Sequence, residues 1–197
     1  TIYVGNVEFI TRNGTTEVKR YLAGGKVMIN DTHNSVGKLT AWKTQYVLKD
    51  HLGNTSVVAP EVLAANGAGM QKMSFNPWGE RRNADNLTAS LTRSAWSVLN
   101  IQFTTHGFTG HEMLDAVGLI HMNGRVYDAR LARFVSADSV IDGATNTQGY
   151  NRYSYVQNNP MNATDPSGHF SLRQNIGTIV AIGLSAIAPQ GATVWYA

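Results

Sequence analysis

The sequence predicts a mainly β protein, a spiralling antiparallel sheet wound from short tyrosine-led repeats. Three observations predict it. Eight tyrosines with frequent Val, Ile and Thr favour strands, and nineteen glycines supply turns between them. The tyrosines open short apolar runs that Gly with Asn, Asp or Lys closes, without a fixed period. Units of this kind cannot bury their faces singly, so they pair with neighbours into one long sheet, whose edges are a liability unless it closes or spirals.

Tyr3-Val4-Gly5-Asn6-Val7-Glu8-Phe9 is the first such unit. In the second, Tyr21-Leu22-Ala23-Gly24-Gly25-Lys26-Val27-Met28-Ile29, the Gly pair suits the positive φ of a two-residue hairpin turn. Asp50-His51-Leu52-Gly53-Asn54 separates two strands within residues 46–58, and Pro77 makes a turn of the middle of 73–80. Residues 83–100 turn polar and small, then reach Ala95-Trp96-Ser97-Val98-Leu99 with no decisive period; this reads as a loop with a short helix or strand. A Gly-, Asn- and Thr-rich loop at 141–150 leads into Arg152-Tyr153-Ser154-Tyr155-Val156, which predicts a strand with alternating aromatics. Gln157-Asn158-Asn159-Pro160 and Asn162-Ala163-Thr164-Asp165-Pro166-Ser167-Gly168 read as successive turns.

Beyond Gly168 the composition shifts, and residues 176–188 are almost wholly small and apolar. They fall short of the roughly 18 to 20 residues that cross a bilayer, unless the stretch to Ala197 continues them. A short buried segment, compatible with a helix, is the preferred reading, with membrane contact by 176–197 as the alternative.

A chain of 197 residues is one domain, or one domain with a fragment of another. Net charge is only +3, and no basic run exceeds the pair Arg81-Arg82, which argues against nucleic acid as a partner. The absence of cysteine excludes disulfides, thiol catalysis and Cys-ligated zinc. His111-Glu112 lacks a second histidine at zinc-helix spacing, and no phosphate loop, nucleophile elbow or dinucleotide fingerprint is present. No metal or cofactor is therefore expected. The chain starts at Thr1 with neither an initiator Met nor a signal-peptide pattern, and so reads as cut from something longer.

The densest chemistry lies in Gly118-Leu119-Ile120-His121-Met122-Asn123-Gly124-Arg125-Val126-Tyr127-Asp128-Ala129-Arg130-Leu131-Ala132-Arg133-Phe134-Val135-Ser136-Ala137-Asp138. Val126, Asp128 and Arg130 share one face of an extended strand and Tyr127 and Ala129 the other, while Phe134, Val135 and Ser136 begin a second strand. A tight connection at 129–133 allows a hairpin-like return that brings Arg125 beside Asp138 as a charge-assisted pair. The same spacing also suits charges on the rim of a sheet.

That run, followed by Asn151-Arg152-Tyr153-Ser154-Tyr155-Val156-Gln157-Asn158-Asn159-Pro160 and Asp165-Pro166-Ser167-Gly168, closely resembles the RHS repeat-associated core domain. Residues 46–58 and 75–80 look like the tyrosine-aspartate (YD) repeats that precede that core. The resemblance covers about residues 1–170 and rests on several ordered motifs. It implies RHS/YD-repeat strands at 1–102, the core with its Asp-Pro-x-Gly motif at 103–170, and the start of a variable C-terminal segment at 171–197. In this family the repeats spiral into a hollow shell that encloses a C-terminal effector, and the core caps it. An aspartyl autoprotease then cuts the chain just after the Asp-Pro-x-Gly motif. Relatives include C components of insecticidal (Tc) toxin complexes and polymorphic toxins of bacterial competition, some loaded on type VI secretion machines.

The resemblance places the functional arginine at Arg125 and the two aspartates at Asp138 and Asp165. The cut falls just past Gly168, near His169 and Phe170. It also implies the chain's own C-terminal effector as cargo, a secretion apparatus or toxin complex as carrier, an immunity protein for the effector, and secretion or delivery into target cells. Ala129, Ala132 and Ser139 stand where the family usually has Pro, Gly and Pro, which puts turn geometry in question more than chemistry. Two close carboxylates cannot both ionise easily, so one acts as acid and the other as base. The competing reading is a non-catalytic structural or adhesive β-repeat segment in which Asp-Pro-Ser-Gly is an ordinary turn.

Overall fold

The structure, a computed structural model, describes residues 1–62, 69–85, 103–141, 147–169 and 172–173. Seven strands, β1 (Ile2–Val4), β2 (Val7–Arg12), β3 (Thr15–Leu22), β4 (Val27–His33), β5 (Leu39–Lys49), β6 (Thr55–Pro60) and β7 (Gln71–Lys72), form an antiparallel meander in chain order. Asn13 and Gly14 both take positive φ, 50° and 73°, and close β2 onto β3 with the twist that a two-residue hairpin requires. The alternation expected of a half-buried sheet is plain in β5, where Gln45 and Val47 are buried and Tyr46 and Leu48 exposed. Met28, Val47 and Val58 form a small core under this sheet, with Tyr21 and Phe103 packed against them.

Short elements follow. β8 (Ser74–Phe75) and β9 (Arg81–Arg82) make a hairpin over the Asn76-Pro77-Trp78-Gly79 turn. β10 (Glu112–Leu114), β11 (Leu119–Met122), β12 (Arg125–Asp128) and β13 (Arg133–Phe134) make a four-stranded antiparallel sheet, and β14 (Ala163–Thr164) pairs with β15 (Leu172–Arg173). The mainly β, antiparallel class stands. In place of one continuous ribbon, the described residues form four sheets.

The larger core lies where these pieces meet. Phe75, Phe108, Ile120, Met122, Tyr127, Phe134 and Tyr155 are buried in one cluster, with Trp78 against it. Tyr127 is its centre, with ring centroids 5.0 Å from Tyr155, 5.5 Å from Phe134 and 6.5 Å from Phe108, and its hydroxyl donates to the Trp78 carbonyl at 2.9 Å. Burial of rings of this size, at about 2 to 3 kcal/mol each, holds the four-stranded sheet against the β8–β9 hairpin. Met73 and Phe75 join this cluster from just before and within the β8–β9 hairpin, and a buried Arg81–Asp115 pair with bonds of 2.8 and 3.1 Å ties the same hairpin to the segment after β10.

Two expectations change. Residues 152–156 do not form a strand: Ser154 makes a single bridge to Arg133, and the chain then coils through Val156, Gln157 and Asn158, all at positive φ. The Asn151 side chain accepts from the Tyr153 amide and its carbonyl from the Ser154 amide and hydroxyl, so the segment turns instead of extending. The β3–β4 connection is a three-residue 3-10 turn, Ala23–Gly25, with φ of 68° at Gly24 and 78° at Gly25, in place of a two-residue turn. Among the described residues no helix is long and apolar enough to cross a membrane. Residues 95–99 and 176–197, on which a short element and a buried or membrane-contacting segment are expected, lie outside the described residues.

Candidate functional site: a guanidinium between two buried carboxylates

The return from β12 to β13 comes about as its residues require. The Asp128 carboxylate accepts the Arg130 and Leu131 amides at 3.0 and 3.3 Å, and Ala132 takes φ 55°, so the chain reverses in four residues, 129–132, one fewer than expected because Arg133 already belongs to β13. Tyr127 then pairs Phe134 and Asp128 pairs Arg133. Past β13, the Val135 amide still donates to the Val126 carbonyl and the Asp138 amide to the Arg152 carbonyl, which delivers Asp138 beside Arg125. Arg130, expected on the Val126 face, sits in the turn.

Arg125 leads β12. Its guanidinium lies over the Phe134 ring, 3.5 Å from the centroid, a cation–π seat that also aims its fork. Nη2 pairs with Asp138 Oδ2 at 2.8 Å and Asp165 Oδ2 at 3.4 Å, Nη1 donates to the Arg152 carbonyl at 3.0 Å, and Nε donates to the Gly168 carbonyl. All three charged side chains are at least nine-tenths buried. Burial disfavours the Arg125 charge, and the two carboxylates offset it. Asp165 is pushed above its ordinary value of 3.8, first by burial, against the opposing pull of Ser167, Arg125 and the Gly168 and His169 amides.

Asp165 Oδ1 accepts from Gly168 N at 2.8 Å, His169 N at 3.1 Å and Ser167 Oγ at 3.2 Å, which folds Asp-Pro-Ser-Gly into a tight turn. That turn is docked on the β11–β12 hairpin: Gly124 N donates to the Ser167 carbonyl at 2.9 Å, and Asn123 Nδ2 to the Pro166 carbonyl at 2.7 Å. Gly168 has φ 75°, and a side chain there would run into the Met122 carbonyl. His111, buried, accepts the Thr109 hydroxyl at Nδ1 over 2.8 Å and hydrogen-bonds the Pro166 carbonyl, an arrangement that suits a neutral ring. Burial pulls its pKa down to about 4.

The structure therefore brings together Arg125, Asp138, Asp165, Gly168 and His169; Phe170 lies outside the described residues. Arg125, Asp138, Asp165 and His169, with Arg152, line a partly open space of about 20 Å³, enough for one water molecule. The sequence reasoning missed three positioning groups. Arg152 donates to the Asp138 carbonyl at 2.5 Å, and His111 and Asn123 hold Pro166. The Asn123-Gly124 turn directly before Arg125 was the one local signal. Among the described residues no three His, Asp or Glu side chains are grouped to hold a metal ion.

No family model and no curated protein matches the chain. Among solved structures, 83% of the chain is similar to the crystal structure of TcdB2-TccC3-Cdc42, at 19% identity and a TM-score of 0.44. The crystal structure of TcdB2-TccC3 without its hypervariable C-terminal region is similar over 82% of the chain, at 19% identity and a TM-score of 0.43. A Tc holotoxin pore of Photorhabdus luminescens with a TccC3 mutation is similar over 84%, at 20% identity and a TM-score of 0.43. In each case this chain spans 8% of the other chain's length.

Proposed function

We propose that this chain is the core of an RHS-type toxin-delivery shell and that it hydrolyses its own Gly168–His169 bond, freeing the segment that follows. One observation carries the proposal: the peptide bond is already held on both sides, by a guanidinium on its carbonyl oxygen and a carboxyl on its nitrogen. Arg125 Nε binds the Gly168 carbonyl oxygen, Asp165 lies 3.1 Å from the His169 nitrogen, and Asp138 faces the same water-sized space. The motif resemblance supplies the shell and its cargo.

In this reading the steps draw on the groups around the bond. Asp138, paired with Arg125 at 2.8 Å, takes a proton from water as the oxygen attacks the Gly168 carbonyl carbon. The oxyanion that forms is stabilised by the guanidinium already on that oxygen. At rest Asp165 Oδ1 accepts the His169 N–H; once the carbonyl carbon is tetrahedral that nitrogen gains a lone pair, and the Asp165 carboxyl, whose burial favours its neutral form, gives it a proton as the C–N bond breaks. A carboxyl terminus at Gly168 and an amino terminus at His169 result. Because the scissile bond is held within the fold, effective molarities of about 10⁵ to 10⁸ M apply, and one event per molecule suffices.

The second reading, a structural turn in an uncut repeat protein, is favoured by the three hydrogen bonds on Asp165 Oδ1, which any Asp-led turn can make. Intact mass of the wild type beside Asp138→Asn and Asp165→Asn separates the two. Asn at 165 keeps the acceptor oxygen and so the turn, while losing the proton. A wild type split between Gly168 and His169, with both variants whole, is expected; a folded wild type that stays whole overturns the proposal.

A further inference from the structure

We infer that His169, the first residue past the proposed cut, is a recognition residue: its imidazole is read by Asp138 from one side and by the bare Gly124 backbone from the other. The inference rests on the self-cleavage reading above and goes beyond it, because it assigns the site a preference for the side chain on the leaving strand.

Two independent features build the seat. His169 Nδ1 lies 3.0 Å from Asp138 Oδ1. That oxygen already accepts the Val140 amide at 3.0 Å, and the other faces Arg125 at 2.8 Å, so the imidazole N–H completes the carboxylate's partners and fixes its plane. On the far side the ring lies against Gly124. A Cβ built there would collide with Nε2 and Cδ2 of the imidazole and come within 2.9 Å of the Ser167 carbonyl. Glycine at 124 therefore leaves the space that the ring fills. His169 is 36% exposed where Asp138 is 6%, so it lies over the carboxylate on its solvent side.

An aliphatic residue at 169 would leave Asp138 Oδ1 one donor short and open its flank to bulk water. An asparagine would not, because its side-chain amide nitrogen occupies the place of imidazole Nδ1. His169→Ala is expected to slow self-cleavage by about 10- to 100-fold, the worth of one hydrogen bond to a charged group. His169→Asn should cut at close to the wild-type rate. Gly124→Ala, which displaces the ring and leaves the imidazole in place chemically, should be slowed like His169→Ala.

The experiment uses the full chain made by cell-free synthesis and sampled over time, with intact mass locating the cut and Asp138→Asn as control. Circular dichroism reports that each variant folds. Loss in His169→Ala with rescue in His169→Asn supports the inference, since a purely space-filling role is not rescued by a smaller polar residue. If Asp138→Asn stays whole while His169→Ala is cut as fast as wild type, or if folded His169→Asn is as slow as His169→Ala, the recognition role fails and the autoprotease reading survives. If the wild type is never cut, the underlying reading fails, and this one with it.

Discussion

Gly168 tests the docking of the Asp-Pro-Ser-Gly turn directly, since two separable terms act there. Its φ of 75° is left-handed, which costs an alanine about 1 to 2 kcal/mol wherever it occurs. A Cβ at this position would in addition overlap the Met122 carbonyl oxygen and stand 3.0 Å from the amide nitrogens of both Gly124 and Arg125. Relief requires the turn to lift off the β11–β12 hairpin. That movement breaks the Gly124 amide to Ser167 carbonyl bond, worth about 1 kcal/mol, and the charge-assisted Arg125 to Gly168 bond, worth about 1.5 to 3. Gly168→Ala is thus expected to cost about 4 kcal/mol in all. Gly37 supplies the control, with φ 77° and nothing within 4 Å of a built Cβ, so Gly37→Ala carries the conformational term alone. With both made in an Asp138→Asn background to keep every chain whole, urea unfolding followed by tryptophan fluorescence should show midpoint losses of about 2 M and under 1 M respectively. Equal losses would refute the claim that the turn is pressed against the hairpin.

Two further expectations concern the scaffold. Asp115→Asn strands the Arg81 guanidinium in a site where the two side chains are 4% and 7% exposed, at a cost of about 3 to 5 kcal/mol, while the double change Arg81→Met with Asp115→Leu should recover most of the thermal midpoint. His111, lowered by burial to about 4 from an ordinary 6.5, contributes stability that is complete above pH 6.5 and lost as pH falls through 4, roughly 3 kcal/mol in all, which His111→Gln should remove from urea titrations across that range. Asp165 acts in the opposite sense: raised by burial, its contribution is complete below its ordinary 3.8 and lost as pH rises through its folded value, so the His111 slope is best measured with Asp165→Asn in place.

The parts of the fold that were legible are those where a residue type dictates a local conformation. The Gly24-Gly25 pair turns the chain at positive φ, and Asp50 Oδ1 closes the β5–β6 loop by accepting the Leu52 and Asn54 amides at 2.9 Å. Asn13-Gly14 carried the same kind of signal between β2 and β3 and went unread. The alternating tyrosines of 152–156 misled because alternation has two causes. Tyr155 is fully buried and Tyr153 46% exposed, yet a turn about Asn151 produces that contrast without an extended backbone. At the site, the Arg125–Asp138 pair was accessible to strand-and-return reasoning within one hairpin. Asp165 was not: Asp-Pro-Ser-Gly specifies a turn, and its convergence on Arg125, forty residues earlier, depends on what Gly124 and Gly168 lack. A missing side chain leaves no pattern in a single sequence.

The placement of Arg125 also bears on which carboxylate does what. Two ionised aspartates with one guanidinium would leave an uncompensated negative charge where each side chain is at most 6% exposed, and a buried site resists that by taking up a proton. The fork does not treat the two alike. Asp138 has the short contact at 2.8 Å and Asp165 the longer one at 3.4 Å, and it is Asp165 whose carboxyl burial raises. Burial therefore favours the neutral form at Asp165, next to the His169 nitrogen, while the shorter ion pair with Arg125 is made by Asp138, next to the space where water fits. An arginine midway between equal partners would give no such division. The asymmetry of one guanidinium is thus what supports reading Asp138 as base and Asp165 as acid, a division that spacing alone left open.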